Sequence, residues 1–239
     1  MASKKKSRFS KAASEYLRRT HRPLNCLMFI LPLLVAYEVG SIFYSDCLLA
    51  PRHLAVVLNS LGAAARFLPA ALIVVVLLAW HIASREKRHV DADAVAGMFA
   101  ESVVGMAPLV ALAFLTDRLI APEALAAGAG DQALAAEILT GIGAGIYEEF
   151  IFRLAAIGLI MLLFVDLLKA ARKPTAVVAV VSASVLFSLY HFIGPADFDW
   201  RLFVFRGIAG AYLAIVYIGR GFGVAVGAHA CYNVVVAMM

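Results

Sequence analysis

Gly141-Ile-Gly-Ala-Gly-Ile-Tyr-Glu-Glu-Phe-Ile-Phe-Arg153 sets Glu148, Glu149 and Arg153 in the middle of an apolar run from about residue 133 to 168. A charged side chain at the centre of a bilayer costs about 2.5–3.5 kcal/mol even on forgiving insertion scales, so all three need partners, water or a task. On a helix, Glu149 and Arg153 stand four apart and can pair, which lowers the cost of both. Glu148 lies about 100° round the helix from Glu149 and faces elsewhere. One carboxylate is thus partly neutralised and the other is left for a different role. Two later stretches hold polar groups it could meet: Phe187-Ser-Leu-Tyr-His191 and His229-Ala-Cys-Tyr-Asn233.

The composition around this stretch is that of a membrane protein. The chain has 239 residues, 63% of them hydrophobic and 15% charged, with a mean hydropathy of +0.89. A soluble domain carries about 25% charged residues to cover its surface. Cys26, Cys47 and Cys231 have neither disulfide-framework nor metal-ligand spacing and read as small buried hydrophobes.

Seven apolar segments follow from the amino terminus. Residues 1–23 form a basic tail, too long in its charged region and lacking the small-residue site of a cleaved signal peptide. The spans are expected at about 24–44, 67–84, 94–120, 133–168, 175–194, 202–218 and 224–239. An 11-residue apolar piece at 54–64 is too short to cross and is expected at the interface. The fourth run would exceed 50 Å at about 1.5 Å per residue, against a hydrocarbon core of about 30 Å. It is therefore either a tilted helix or an interfacial lead-in followed by a span. Pro69 suits a first helical turn and Pro108 a kink. Glu101 needs a buried structural partner.

With the amino terminus in the cytoplasm, seven spans place the tail, residues 85–93, residues 169–174 and Arg220 on the inner side. These segments hold 15 of the 21 lysines and arginines, including all seven lysines. The outer segments hold only Arg52, Arg66, Arg118 and Arg201. This asymmetry is the positive-inside pattern. It accounts for the net charge of +5 without a nucleic-acid partner. No internal repeat supports an inverted-repeat transporter, and no phosphate-binding glycine loop is present.

The chemistry lies in the polar pairs. His191 follows Phe187 by four and Asn233 follows His229 by four, so each pair shares a helical face directed to the bundle interior. The inferred cluster is Glu148, His191, His229 and Asn233, with the Glu149–Arg153 pair behind it. A carboxylate in a low-dielectric pocket is a stronger base than in water, and with a histidine it can deprotonate a water held between them. A second imidazole and an amide can donate hydrogen bonds to the oxyanion of a tetrahedral intermediate. These parts suffice to hydrolyse a peptide bond without a serine or cysteine nucleophile. The same carboxylates and imidazoles could hold a divalent metal that activates the water, although the chain lacks a His-Glu-x-x-His motif.

Glu-Glu-x-x-x-Arg at 148–153, Phe-x-x-x-His at 187–191 and His-x-x-x-Asn at 229–233, in this order on successive spans, resemble the three motifs of the CAAX-protease and bacteriocin-processing family of intramembrane endopeptidases. The glycine-spaced run from Phe205 through Gly221 is also similar. The resemblance covers roughly residues 134–239. It implies Glu148 as the base acting with His191, and His229 with Asn233 as oxyanion stabilisers. Glu149, Arg153 and Phe187 would shape the site. It implies no cofactor if the enzyme is of the glutamic type; a metal such as zinc would be held by Glu148, His191 and His229.

The resulting expectation is an all-α polytopic bundle: a basic cytoplasmic tail (1–23), amino-terminal membrane helices (24–132) and a catalytic membrane core (133–239) in the last four spans. Its partners would be the lipid bilayer and a membrane-anchored protein or peptide cleaved near its carboxy terminus or leader. The rival readings are a non-catalytic binding or immunity protein on the same scaffold, and an ion or proton transporter using Glu101, Glu148 and the histidines. His21, His53, His81 and His89 lie near span ends or in loops and read as solvated or interfacial.

Overall fold

Long apolar stretches without β-branched alternation fold here as helices, and no strand occurs among the described residues. The computed structural model describes residues 2–44, 67–86, 88–120, 131–193 and 198–239. The interfacial piece expected at 54–64, Cys47 and His53 lie outside the described residues. The elements are α1 (Ala2–Thr20), α2 (Pro23–Phe43), α3 (Leu68–Ser84), α4 (Ala92–Ile120), α5, α6 (Arg172–Tyr190), α7 (Trp200–Arg220) and α8 (Phe222–Ala237). Helix α5 is continuous but not uniform. It comprises an α segment Asp131–Glu149, a π segment Phe150–Ile157, one α turn Gly158–Met161 and a second π segment Leu162–Leu167. The long fourth run is thus one helix rather than a lead-in and a span.

Five helices are long and apolar enough to cross a membrane: Pro23–Phe43, Ala92–Thr116, Leu134–Leu167, Arg172–Tyr190 and Trp200–Arg220. Leu68–Ser84 and Phe222–Ala237 are apolar but shorter. All seven expected spans therefore coincide with apolar helices. The basic tail, read from sequence as a tail only, is itself helical over Ala2–Thr20.

The short α8 is the centre of the bundle. Every residue from Phe222 to Ala230 is buried, which its many glycines and alanines permit by letting neighbouring backbones approach. It packs mainly on α4 and α5, and less on α7 and α2. Helix α2 also packs on α5 and α3, and α6 pairs with α7. The glycines of the opening stretch serve this packing. A Cβ at Gly145 would lie 2.8 Å from the Ala230 backbone nitrogen, and one at Gly141 would lie 2.8 Å from Asn233 Cβ. Outward-facing Val177, Val181, Leu162, Phe164 and Ile215 remain exposed, as lipid-facing side chains do.

One end of the bundle is closed by a polar clamp. Arg22 bonds Asp91 at 2.7 Å and lies 3.3 Å from Glu86. Asn25 Oδ1 accepts from the Asp91 backbone N–H at 3.1 Å. His21 Nε2 lies 3.2 Å from the Ile218 carbonyl, and Arg220 pairs with Glu101. The end of α1, the 85–91 turn and the α7–α8 junction thus meet, as segments assigned to one side of the membrane must. Asp91 lies outside the spans. Partial loss of hydration works against its ionisation, but the Asn25 hydrogen bond and the Arg22 and Arg19 guanidiniums outweigh that and hold its carboxyl below the usual carboxylate range. Glu101 has the structural partner expected of it. His81 departs from expectation: it is only 8% exposed, because it lies on the face of α3 that carries the buried Ala70, Ile73 and Leu77.

Candidate active site

Glu148 and Glu149 end the first α segment of α5, and Arg153 lies in the π segment that follows. A π turn widens the helix locally, and such insertions recur at functional sites. Nothing in the residue types announces it. Glu149 and Arg153 pair as their spacing requires, with Arg153 Nη1 3.0 Å from Glu149 Oε1 and both side chains at most 1% exposed. Arg153 Nη2 also donates to the Gly210 carbonyl at 3.2 Å. Its guanidinium stacks on the Phe187 ring, 4.5 Å from the centroid. Phe187 is therefore a wall with an electrostatic use: its face meets Arg153, while its ring lies edge-on to His191 and His229 at 4.9 and 6.1 Å.

Helix α6 stops at Tyr190, so His191 is its C-cap rather than a residue inside the span. The i, i+4 relation to Phe187 survives as a hydrogen bond, since His191 Nδ1 lies 2.8 Å from the Phe187 carbonyl. A carbonyl only accepts, so Nδ1 carries the proton and Nε2 presents its lone pair. Nε2 lies 3.5 Å from Glu148 Oε1. On the other side, His229 Nε2 lies 3.8 Å from Glu148 Oε2. The Glu148 carboxylate is thus held between two imidazoles, with its side chain 16% exposed and that of His191 24%.

The contact that sequence reasoning missed lies behind His229. Its Nδ1 is 2.8 Å from Glu149 Oε1. Glu149 therefore serves Arg153 and His229 with one oxygen, and the two adjacent glutamates approach opposite nitrogens of the same ring. Helical spacing places Glu149 near Arg153 within one helix. It says nothing of a neighbour 80 residues away. Asn233, expected to face the reacting carbonyl, donates from Nδ2 to the Gly141 carbonyl at 2.9 Å. The amide has a second N–H. Nearby, Tyr147 donates to Glu38 Oε1 at 2.6 Å and ties α5 to α2.

Among the described residues no three His, Cys, Asp or Glu side chains form a set able to hold a metal ion. The donors beside Glu148 are spoken for on their far sides, and each near nitrogen lies 3.5–3.8 Å from one carboxylate oxygen. Across α8 from this site, α2, α4 and α8 line an open cleft of about 810 Å³, with walls including Phe29, Leu33, Phe99, Met106 and Val234. It lies within the size range of small-molecule sites.

These features define an integral, multi-pass membrane protein whose helices surround a carboxylate held between two imidazoles. Residues 131–235 match the family model described as type II CAAX prenyl endopeptidase Rce1-like. All three motifs lie within that stretch. The match supports the resemblance of this part of the chain to the CAAX-protease and bacteriocin-processing family, and with it an intramembrane CAAX-protease kind of function. Comparison with curated proteins and with solved structures found no match.

Proposed function

We propose that the chain is an intramembrane endopeptidase of the glutamic type, cleaving a membrane-anchored protein near its carboxy terminus. The observation that carries this reading is the Glu148 carboxylate, 3.5 Å from His191 Nε2 and 3.8 Å from His229 Nε2. Glu148 Oε1 and the His191 lone pair are both acceptors. One water can give a hydrogen bond to each and keep its own lone pair for attack. As that oxygen adds to the scissile carbonyl, Glu148 takes the proton. The tetrahedral oxyanion is met by His229 Nε2–H and the second Asn233 N–H. Donation from Nε2 requires the doubly protonated His229 ring, whose charge is compensated by Glu149 at Nδ1 and Glu148 at Nε2. Collapse breaks the C–N bond, and the proton held by Glu148 passes to the leaving amine. The products are a free amine and a new carboxylic acid, which ionises by giving its proton to the His191 lone pair or to water.

The positive-inside asymmetry favours a cytoplasmic amino terminus, and the basic segments meeting in the polar clamp are consistent with it.

The test is cleavage of lipid-anchored fluorogenic peptides by the purified, detergent-solubilised protein, beside Glu148→Ala, with and without a strong chelator. Activity lost in the variant and kept with chelator is the expected result. Activity lost to chelator and restored by zinc would make the enzyme metal-dependent, with Glu148, His191 and His229 as the candidate ligands. Cleavage by neither protein would favour the binding or immunity reading.

A further inference from the structure

Two arginines inside the bundle already have carboxylate partners. Arg153 is taken by Glu149 and Arg220 by Glu101. Arg206, on α7, differs. Among the described residues its guanidinium has no carboxylate at ion-pairing distance. Its guanidinium lies over the face of Phe192, 5.3 Å from Cζ to the ring centroid. Phe192 adjoins His191, and Arg206 lies near enough to act electrostatically on both Glu148 and His191. Arg206 is only partly buried, so the space before it is accessible. An unpaired guanidinium at membrane depth is costly unless an anion visits it. Its planar fork favours carboxylates, which it binds through two parallel hydrogen bonds.

We propose that Arg206 receives the terminal carboxylate of the substrate tail, making it a specificity-determining residue for free carboxy termini. The inference rests on the protease reading above and names the substrate end that this site would select. A tail that ends within about three residues of the scissile bond spans at most about 10 Å. A carboxylate at its end therefore stays in the neighbourhood of Glu148, where Arg206 lies. The Phe192 face steadies the guanidinium from one side and leaves its edge for the anion. An internal loop or an amino-terminal leader offers no such group and would leave the charge unmet.

The experiment uses the detergent-solubilised full chain and two lipid-anchored fluorogenic peptides, identical except that one ends in a carboxylate and the other in a carboxamide. The wild type is expected to prefer the carboxylate about 10- to 100-fold in kcat/KM, the range of a charge-assisted hydrogen bond. In Arg206→Gln the preference for the carboxylate over the amide should disappear; Arg206→Lys should keep part of it. An equal loss for both peptides would overturn the proposal, since a role at the oxyanion or on a lipid phosphate acts on both alike. So would an unaltered preference in Arg206→Gln. Binding of the same peptides to Glu148→Ala, with and without Arg206→Gln, reads the preference without turnover. A carboxylate preference in binding that depends on Arg206, without cleavage by the wild type, would support Arg206 and refute the protease reading. Equal binding of both peptides would refute the Arg206 assignment alone.

Discussion

Glu149 is the residue whose removal separates fold from chemistry. It is fully buried and its Oε1 serves Arg153 at 3.0 Å and His229 Nδ1 at 2.8 Å. Glu149→Ala strands Arg153, itself 1% exposed, with only the Gly210 carbonyl and the Phe187 face. Removing one partner of a buried pair costs about 3–5 kcal/mol. Glu149→Gln keeps shape and an acceptor oxygen but loses the charge, and should cost about 1.5–3 kcal/mol. The Glu149→Leu/Arg153→Met double variant removes both charges and should recover most of the stability, since apolar replacement of a whole buried pair is often neutral or better. Its activity should not recover. With no carboxylate at Nδ1, nothing holds the His229 ring with Nε2 toward Glu148, and a loss of about 10²–10⁴-fold in kcat is expected by analogy with other carboxylate-oriented imidazoles. Thermal unfolding in detergent and peptide cleavage, measured on all three variants, give both quantities. A double variant that regains activity along with stability would refute the reasoning, because Glu149 would then serve only to neutralise Arg153.

Other outcomes follow from the same geometry. Glu148→Ala and His191→Ala should each abolish cleavage with little change in melting temperature, because both side chains are partly exposed and neither anchors the core; full activity in either would sink the mechanism. Gly145→Ala places a Cβ 2.8 Å from the Ala230 backbone nitrogen and should destabilise by about 1–3 kcal/mol through forced separation of α5 and α8. Gly158→Ala, with nothing within 4 Å, is the control and should be neutral or slightly stabilising. Asp91 governs a pH effect. Its folded-state carboxyl titrates below its unfolded value of about 3.9, so its contribution is fully present above that pH and is lost as pH falls through the folded value. The melting-temperature gap between wild type and Asp91→Asn should be constant from pH 7 to about 5 and close under stronger acid; a gap that widens in acid would contradict the assignment.

What could be read in the residues, and what could not, divides along sequence separation. Spacing of three or four along one helix predicts Glu149 with Arg153 and Phe187 with His191, and both contacts occur. Apolar run length places the seven helices, because the cost of unsatisfied backbone in lipid leaves few alternatives. The π segments were not legible, since nothing in the residue types at 150–157 or 162–167 marks them. The end of α6 at Tyr190 was also hidden, because residues 191–193 are as apolar in aggregate as the helix before them. The glycines at 141 and 145 were visible, but their role needed the partner helix, whose Asn233 and Ala230 leave no room for a side chain. His81 shows the converse error: a position near a span end reads as wet, yet the face it occupies is the packed one.

The arrangement of charge explains why two adjacent glutamates can differ so much in role. Glu149 is enclosed, and each of its contacts is with a group that is itself fixed: Arg153 by Gly210 and Phe187, His229 by the buried first turns of α8. Glu148, one residue earlier, is turned toward His191 at the end of α6, where side chains keep some exposure. In the proposed mechanism the base must reach water, and the residue that aligns its partner must not. The shared His229 ring joins the two, with Nδ1 on the enclosed carboxylate and Nε2 toward the accessible one. Moving the Glu-Glu pair back by one residue along α5 would leave a carboxylate at 148 and none in the enclosed position. A chain rewritten with glutamates at 147 and 148 and leucine at 149 should therefore lose both the Arg153 pairing and cleavage, even though its composition, hydropathy and number of acidic groups inside the membrane are nearly unchanged.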